Sequence, residues 1–305
     1  MGGPVGHFSG TLRRVDLPAG LSTRPLQHDD AHAVFEVMVA QEEADLGEVM
    51  IEEADIVGDC AQPSFDVASS TIGVFDGDRL VAYGEVGSAG RCDAAVDPEY
   101  RGRGLGTSLA HWIQANARER GIAEIGMPVP LGSPGDRLLE ALGYRVRWES
   151  WGLELPPGAT IPVRTLPRGY AVREADPSEY EQCWTVQEDA FLEWSVRERA
   201  TFDDWLAGMT GRPGFEPWNL RVVVDPAGAV VSFCWVQLGA ESAFIARLAT
   251  KKEERGRGLA QALLVDAFGE RPARSSPRTP APARWGCTRR SAWWSRRHGS
   301  TVGWP

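Results

Sequence analysis

One twelve-residue stretch limits what this chain can become more than any other: Val96-Asp97-Pro98-Glu99-Tyr100-Arg101-Gly102-Arg103-Gly104-Leu105-Gly106-Thr107. An apolar run, Ala94 to Val96, leads into it. A helix pattern leaves it, with Leu105, Leu109, Trp112, Ile113 and Ala117 at helical spacing. Gly102, Gly104 and Gly106 let the backbone turn so that its N–H groups point into one hollow. The positive end of the helix opens onto the same hollow, an arrangement suited to a pyrophosphate. Arg101 and Arg103 add charge-assisted donors. The pattern returns 154 positions later as Arg255-Gly256-Arg257-Gly258-Leu259-Ala260-Gln261-Ala262-Leu263-Leu264. It again follows an apolar run (Phe244 to Ala249) and opens an apolar-periodic stretch (Leu259, Leu263, Leu264, Ala267, Phe268). Two copies, each between a strand and a helix, predict a repeated domain.

The pattern Arg-Gly-x-Gly-Leu-Gly/Ala after a strand resembles motif A of the GNAT superfamily, the acyl-CoA-dependent N-acyltransferases. The resemblance covers nearly the whole chain as two tandem copies. It implies an α/β (α+β) fold of two tandem domains, each a mixed, mostly antiparallel central sheet flanked by helices. It also implies that the acyl-CoA pyrophosphate rests on each turn and the pantetheine lies along the preceding strand. The implied binding positions are Ala95, Val96, Arg101, Gly102, Arg103, Gly104, Leu105, Gly106 and Thr107 in the first copy. In the second they are Leu248, Thr250, Arg255, Gly256, Arg257, Gly258, Leu259 and Ala260.

A length of 305 residues suits two ordinary domains. No run of 18 apolar residues appears, so no membrane span is expected. The N-terminus lacks an apolar signal core, which makes a cytoplasmic location the expectation. Cys60, Cys92, Cys183, Cys234 and Cys287 are scattered, with no spacing that suggests a disulfide frame or a metal site. The net charge of −10 hides an asymmetry: residues 271–305 hold eight arginines and no acid, so residues 1–270 carry −18. An acidic body argues against nucleic acid as partner and fits a cationic small substrate.

Residues 1–20 read as a leader, 21–155 as the first domain, 156–168 as a Pro/Gly linker, 169–270 as the second domain and 271–305 as a tail. Strands are predicted at 21–26, 70–75, 79–86, 91–96, 122–129 and 144–155, with helices at 29–41, 51–60, 105–121 and 134–142. The order restarts with a strand at 169–173, helices at 177–190 and 201–209, strands at 220–224, 229–238 and 242–249, and the second motif helix. At about Glu270 the pattern stops, where the resemblance implies a strand, a helix ending in Tyr-Glu-x-x-Gly-Phe and a last strand. Codons for Ser276–Trp293 can be chosen whose shifted frame reads Ser-Thr-Asp-Ser-Arg-Thr-Gly-Ala-Leu-Gly-Leu-Tyr-Glu-Lys-Val-Gly-Met. The Arg/Pro/Trp-rich tail is therefore expected to come from a shifted reading frame, the alternative being a native basic tail.

Acyl transfer needs an amine made neutral before it attacks the thioester, and a carboxylate can serve as base. Candidates are Asp93 and Glu85 in the first copy and Glu241 in the second. The resemblance implies a tyrosine that protonates the leaving thiolate. The first copy has Leu139 at that place, in Leu139-Glu140-Ala141-Leu142-Gly143-Tyr144. Glu42, Glu43, Asp45, Glu48, Glu52, Glu53 and Asp55 form an acidic run where the family walls its acceptor site. It reads either as a solvated helical face or as a field for a polyamine-like acceptor. The expected function is transfer of an acetyl group from acetyl-CoA to the amine of a small cationic molecule, with no metal, nucleic-acid or membrane partner. The alternative is a non-catalytic acyl-CoA-binding protein with degenerate copies.

Overall fold

The computed structural model describes residues 17–87, 89–150, 153–155, 159–195, 197–239, 243–269, 283–285 and 289–295. In its first half, β1 (Leu21–Arg24), β2 (Thr71–Asp76), β3 (Arg79–Val86) and β4 (Cys92–Val96) make one antiparallel sheet in that order. Along β3, Leu80 to Gly84 are all buried rather than alternating. The cause is a helix on each face. Tyr83, Leu80 and Phe75 pack against Val34, Val37 and Met38 of α1 (Ala31–Leu46). Val81 and Ala82 share a core with Leu105, Leu109, Trp112 and Ile113 of α4 (Leu105–Glu119). Ile113 is fully enclosed there, so truncating it to Ala costs about 2–5 kcal/mol.

Between them come α2 (Glu53–Cys60) and the short α3 (Val67–Ser70). After α4 follow β5 (Glu124–Pro130), α5 (Pro134–Ala141), β6 (Arg145–Ser150) and β7 (Leu153–Leu155). Ser133 caps α5 by accepting from the Asp136 amide, with Pro134 at the first helical position.

The second half repeats the plan: β8 (Ala171–Glu174), α6 (Tyr180–Leu192), α7 (Phe202–Thr210), β9 (Leu220–Val224), β10 (Val230–Leu238), β11 (Ala243–Thr250) and α8 (Leu259–Gly269). Strands β8 to β11 pair antiparallel in sequence order. Their two faces are covered by α6 and α7 on one side and α8 on the other.

The structure departs from the sequence reading at residues 144–155, where the single predicted strand is two strands in different sheets. Within residues 271–305 the described residues form two further strands. Residues Ala283–Trp285 (β12) lie between β11 and β7, extending the second sheet to six strands. Residues Arg289–Ser295 (β13) lie between β5 and β6, antiparallel to both. Ladder bonds come from the backbone, so a slot between two strands is filled with little regard to side chains.

The halves also meet directly. Gly58 on α2 and Gly208 on α7 allow a close approach, since a Cβ at Gly58 would stand 2.9 Å from the Gly208 carbonyl oxygen. Arg212, only 6% exposed, donates to Glu52 Oε2 (2.7 Å) and Asp55 Oδ1 (2.8 Å) across that junction. The Ser64 amide donates to Asp204 Oδ1 (2.8 Å).

Candidate active site

Beyond one isolated parallel bridge, Arg91↔Gly126, strands β4 and β5 share no ladder. A cavity of about 330 Å³ lies between them. Ala94 and Val96 line it from β4, Met127 and Val129 from β5, and Leu138 and Leu139 from α5; Gly102 and Gly104 to Thr107 line it at the turn. Two amides on β4 are taken by side chains: Val96 N donates to Gln41 Oε1 (3.1 Å), and Ala94 N donates to Asp93 Oδ1 (2.9 Å). Side-chain oxygens there are exchangeable acceptors, so an extended amide ligand can compete for these donors.

The turn has the geometry its glycines predict. Gly102 and Gly104 sit at φ 74° and 86°, the left-handed region that costs an L-residue about 1–2 kcal/mol. Gly104 is the N-cap of α4, which leaves Leu105, Gly106 and Thr107 in the first turn, where amides have no intrahelical acceptor. These donors face the cavity with the positive end of the helix behind them. Arg101 is held from below: its Nη1 and Nη2 donate to Asp45 Oδ1 (2.7 Å) and Oδ2 (3.0 Å). Arg103 donates to the Glu99 carbonyl and covers the Tyr100 ring at 4.7 Å. Ala95 turns away, into the core under α1.

Glu85 and Asp93 stand opposite each other on β3 and β4, on the sheet face away from the cavity. Glu85 looks into a second hollow, of about 390 Å³, between the halves. Removal from water, reinforced by Asp93 and Asp59 and opposed by Arg91, pushes its carboxyl up to about 8. Asp59 is raised for the same first reason. From the second half, Arg212, Trp235, Phe244 and Arg247 close the hollow.

The second turn has the same backbone and different company. Gly256 and Gly258 sit at φ 78° and 80°. Arg255 donates to both carboxylate oxygens of Glu193 (3.0 and 2.6 Å) and to the Thr250 carbonyl (3.2 Å), matching the Arg101–Asp45 pair. Arg257 donates to the Tyr170 hydroxyl (2.7 Å). Linker residues lie over this turn. Arg164 Cδ is 2.7 Å from where a Gly258 Cβ would be, and Gln261 donates to the Pro162 carbonyl (2.6 Å). Leu259 is buried and Leu248 partly so against the same core, while Ala260 is half-buried. Thr250 Oγ1 is 2.7 Å from Ser232 Oγ. Glu241 lies outside the described residues.

The acidic run is not an open wall. Glu42 is buried and accepts from the Met50 and Ile51 amides (2.6 and 2.9 Å). Asp45 holds Arg101, Glu52 and Asp55 hold Arg212, and Glu53 meets His32 (3.0 Å). The sequence reading missed Arg91, Trp235 and Arg247. Aligning the two copies finds two of them: Arg247 precedes Arg255 by the eight positions that separate Asp93 from Arg101, and Trp235 pairs with Arg247 as Glu85 pairs with Asp93.

Residues 32–144 match the model of the Acetyltransferase (GNAT) family. A mycothiol acetyltransferase of Salinispora arenicola (strain CNS-205) is 30% identical over 152 residues, 48% of this chain and 47% of that protein. Another, of Thermobispora bispora, is 28% identical over 207 residues, 63% of this chain and 67% of that one. The chain thus spans about half the length of the first of these relatives. Among solved structures, a GCN5-related N-acetyltransferase from Sphaerobacter thermophilus superposes with a TM-score of 0.67 at 24% identity, over 93% of this chain and 90% of that one. A tandem GNAT protein from the clavulanic acid biosynthesis pathway gives 0.63 at 17% identity, over 92% and 99%. No described helix is long and apolar enough to cross a membrane. With the family match over residues 32–144, the glycine turn at a helix N-terminus and the splayed strands β4 and β5, residues 32–144 form a domain of the Acetyltransferase (GNAT) family.

Proposed function

We propose that this protein transfers an acetyl group from acetyl-CoA to the amine of a small molecule, and that its first half is the catalytic one. Acyl-CoA is the co-substrate of the family. Its pyrophosphate fits the amides of residues 102–107, and its pantetheine fits the cavity along Ala94 and Val96. The acetyl end then reaches the part of β4 where Asp93 stands opposite Glu85 of β3, the carboxylate that lines the hollow between the halves. The mycothiol acetyltransferase relatives support acetyl as the group transferred and a small molecule as acceptor.

In this reading an ammonium enters from the hollow and gives a proton to Glu85. A base with a pKa about 8 is well matched to an amine near neutral pH. The amine nitrogen attacks the thioester carbonyl, the C–N bond forms, the C–S bond breaks, and the proton given up balances the one taken by the departing CoA thiolate. Leu139 is core-packed beside the cavity, so no tyrosine serves the leaving group from that position. The carrying observation is the paired strands β3 and β4: the cavity side of β4 suits pantetheine, and the opposite face of the pair bears Glu85 on β3 and Asp93 on β4. The second half lacks that pair, having Trp235 and Arg247 at the matching positions.

The test is release of CoA thiol from acetyl-CoA across a panel of small amines, with the acetylated product confirmed by mass. Transfer that needs Glu85 supports the reading. Tight CoA binding with no transfer to any amine would leave a binding protein.

A further inference from the structure

Two guanidiniums face the hollow between the halves, and among the described residues no carboxylate is bonded to either. Arg91 enters from the segment before β4, and Arg247 from β11 of the other half. The Arg247 side chain donates to the carbonyl of its neighbour Ala246 (2.7 Å). The described acids around them are engaged or set apart: Asp55 is bound to Arg212, Asp93 to its neighbour's amide, and Asp59 and Glu85 make no ion pair with either arginine. Each arginine nonetheless lies in the other's field, and enclosure by the walls followed by Arg91's charge lowers Arg247's proton affinity. Asp59 and Glu85 share this hollow with the two arginines, but burial holds both carboxyls toward the neutral form, so two like charges from two halves of the protein meet there without a bonded anion. Guanidiniums offer planar, paired donors that fit carboxylate and phosphate oxygens. Trp235 and Phe244 line the same wall and give a flat apolar surface for the body of a small molecule.

We infer that the acceptor carries an anionic oxyacid group as well as its amine, and that Arg91 and Arg247 hold that group while the amine end reaches Glu85 and Asp93. This rests on the hollow being the acceptor's entrance, as proposed above. It gives the second half a task unlike that of the first. Where the first copy has Glu85 and Asp93 to receive an ammonium, the second has Trp235 and Arg247 to receive the opposite end. The acceptor is then a zwitterion rather than a polycation, in keeping with an acidic run whose charges are spent inside the protein.

The experiment uses the full chain with CoA present and matched probes: β-alanine against β-alaninamide, and O-phosphoethanolamine against ethanolamine, with spermidine as a polycation. Calorimetry reads binding, and thiol release from acetyl-CoA reads transfer. The anionic member of at least one pair is expected to bind about tenfold or more tighter than its neutral counterpart. The pair that shows the preference tells carboxylate from phosphate. Arg247→Gln and Arg91→Gln are each expected to erase that preference, and Arg247→Lys to keep part of it, with CoA affinity unchanged. Both arginines are exposed within the hollow, so the substitutions leave the core intact. Equal binding within both pairs, tighter binding of spermidine, no binding of either anionic probe, or a preference that survives Arg247→Gln would overturn the inference. Arginine-dependent binding without transfer to any amine would instead remove the acetyl-transfer reading and keep this one.

Discussion

Replacing Glu85 with Gln is the perturbation whose outcome can be worked furthest from the structure. The carboxyl is half-buried, faces Asp93 across the β3–β4 ladder and feels Asp59 from α2, while the charge of Arg91 opposes them. Its pKa about 8 means that about one carboxyl in ten is ionised at pH 7. If Glu85 takes the amine's proton, kcat/KM rises about tenfold between pH 7 and the plateau above pH 8. The Gln variant should lose this limb and about 10²-fold in kcat, toward the low end for a general base because Asp93 remains opposite. Stability should move with it. The folded state holds a proton that the unfolded chain releases near the ordinary carboxyl value of 4.5, so wild type loses stability as pH rises from there to about 8. The Gln variant lacks that loss, so its Tm relative to wild type should climb over the same window. The assays are initial rates of thiol release and thermal melts at matched pH values. An unchanged pH profile in Glu85→Gln, with its kcat intact, would refute the role. A Tm difference independent of pH would refute the raised pKa.

Three further outcomes follow from other contacts. Gly104→Glu places a carboxylate at a helix N-terminus meant for an anion; since no heavy atom lies within 4 Å of a Cβ there, the fold should survive at a cost of about 1–2 kcal/mol while CoA affinity by calorimetry falls sharply. Arg212→Leu leaves Glu52 and Asp55 facing each other at the junction of the halves, and denaturant unfolding should show a loss of about 3–5 kcal/mol or a transition that splits in two. Resequencing the locus and weighing the intact chain tests the reading frame of residues 271–305; a native gene and a mass that match the written sequence would leave a genuine arginine-rich tail.

The local parts of this molecule were legible from its sequence, and the non-local parts were not. Strand β3 was predicted over Arg79–Val86 and is found there, because the turn at Gly77 and the apolar run fix it locally. The turn at Gly102 to Gly106 and the amphipathic α4 are of the same kind. The fate of Arg101 was hidden, because its partner Asp45 lies 56 positions away and reads only as one acid in a run. Strand order is equally non-local: nothing in Leu153–Leu155 says that it joins the other half's sheet, and nothing in Arg289–Ser295 names β5 and β6 as its neighbours. The hollow between the halves needs residues from α2, β3, α7, β10 and β11 together, which only the packed chain supplies.

The most direct test of the account is a crystal structure of the chain with acetyl-CoA. The account predicts one clear position for it: pyrophosphate on the amides of residues 102–107, pantetheine between β4 and β5, and the acetyl carbon at the end of β4 that Glu85 and Asp93 overlook. Acetyl-CoA on the Arg255–Ala260 turn alone, with Arg164 displaced, or in the first cavity with its thioester away from those carboxylates, would contradict it.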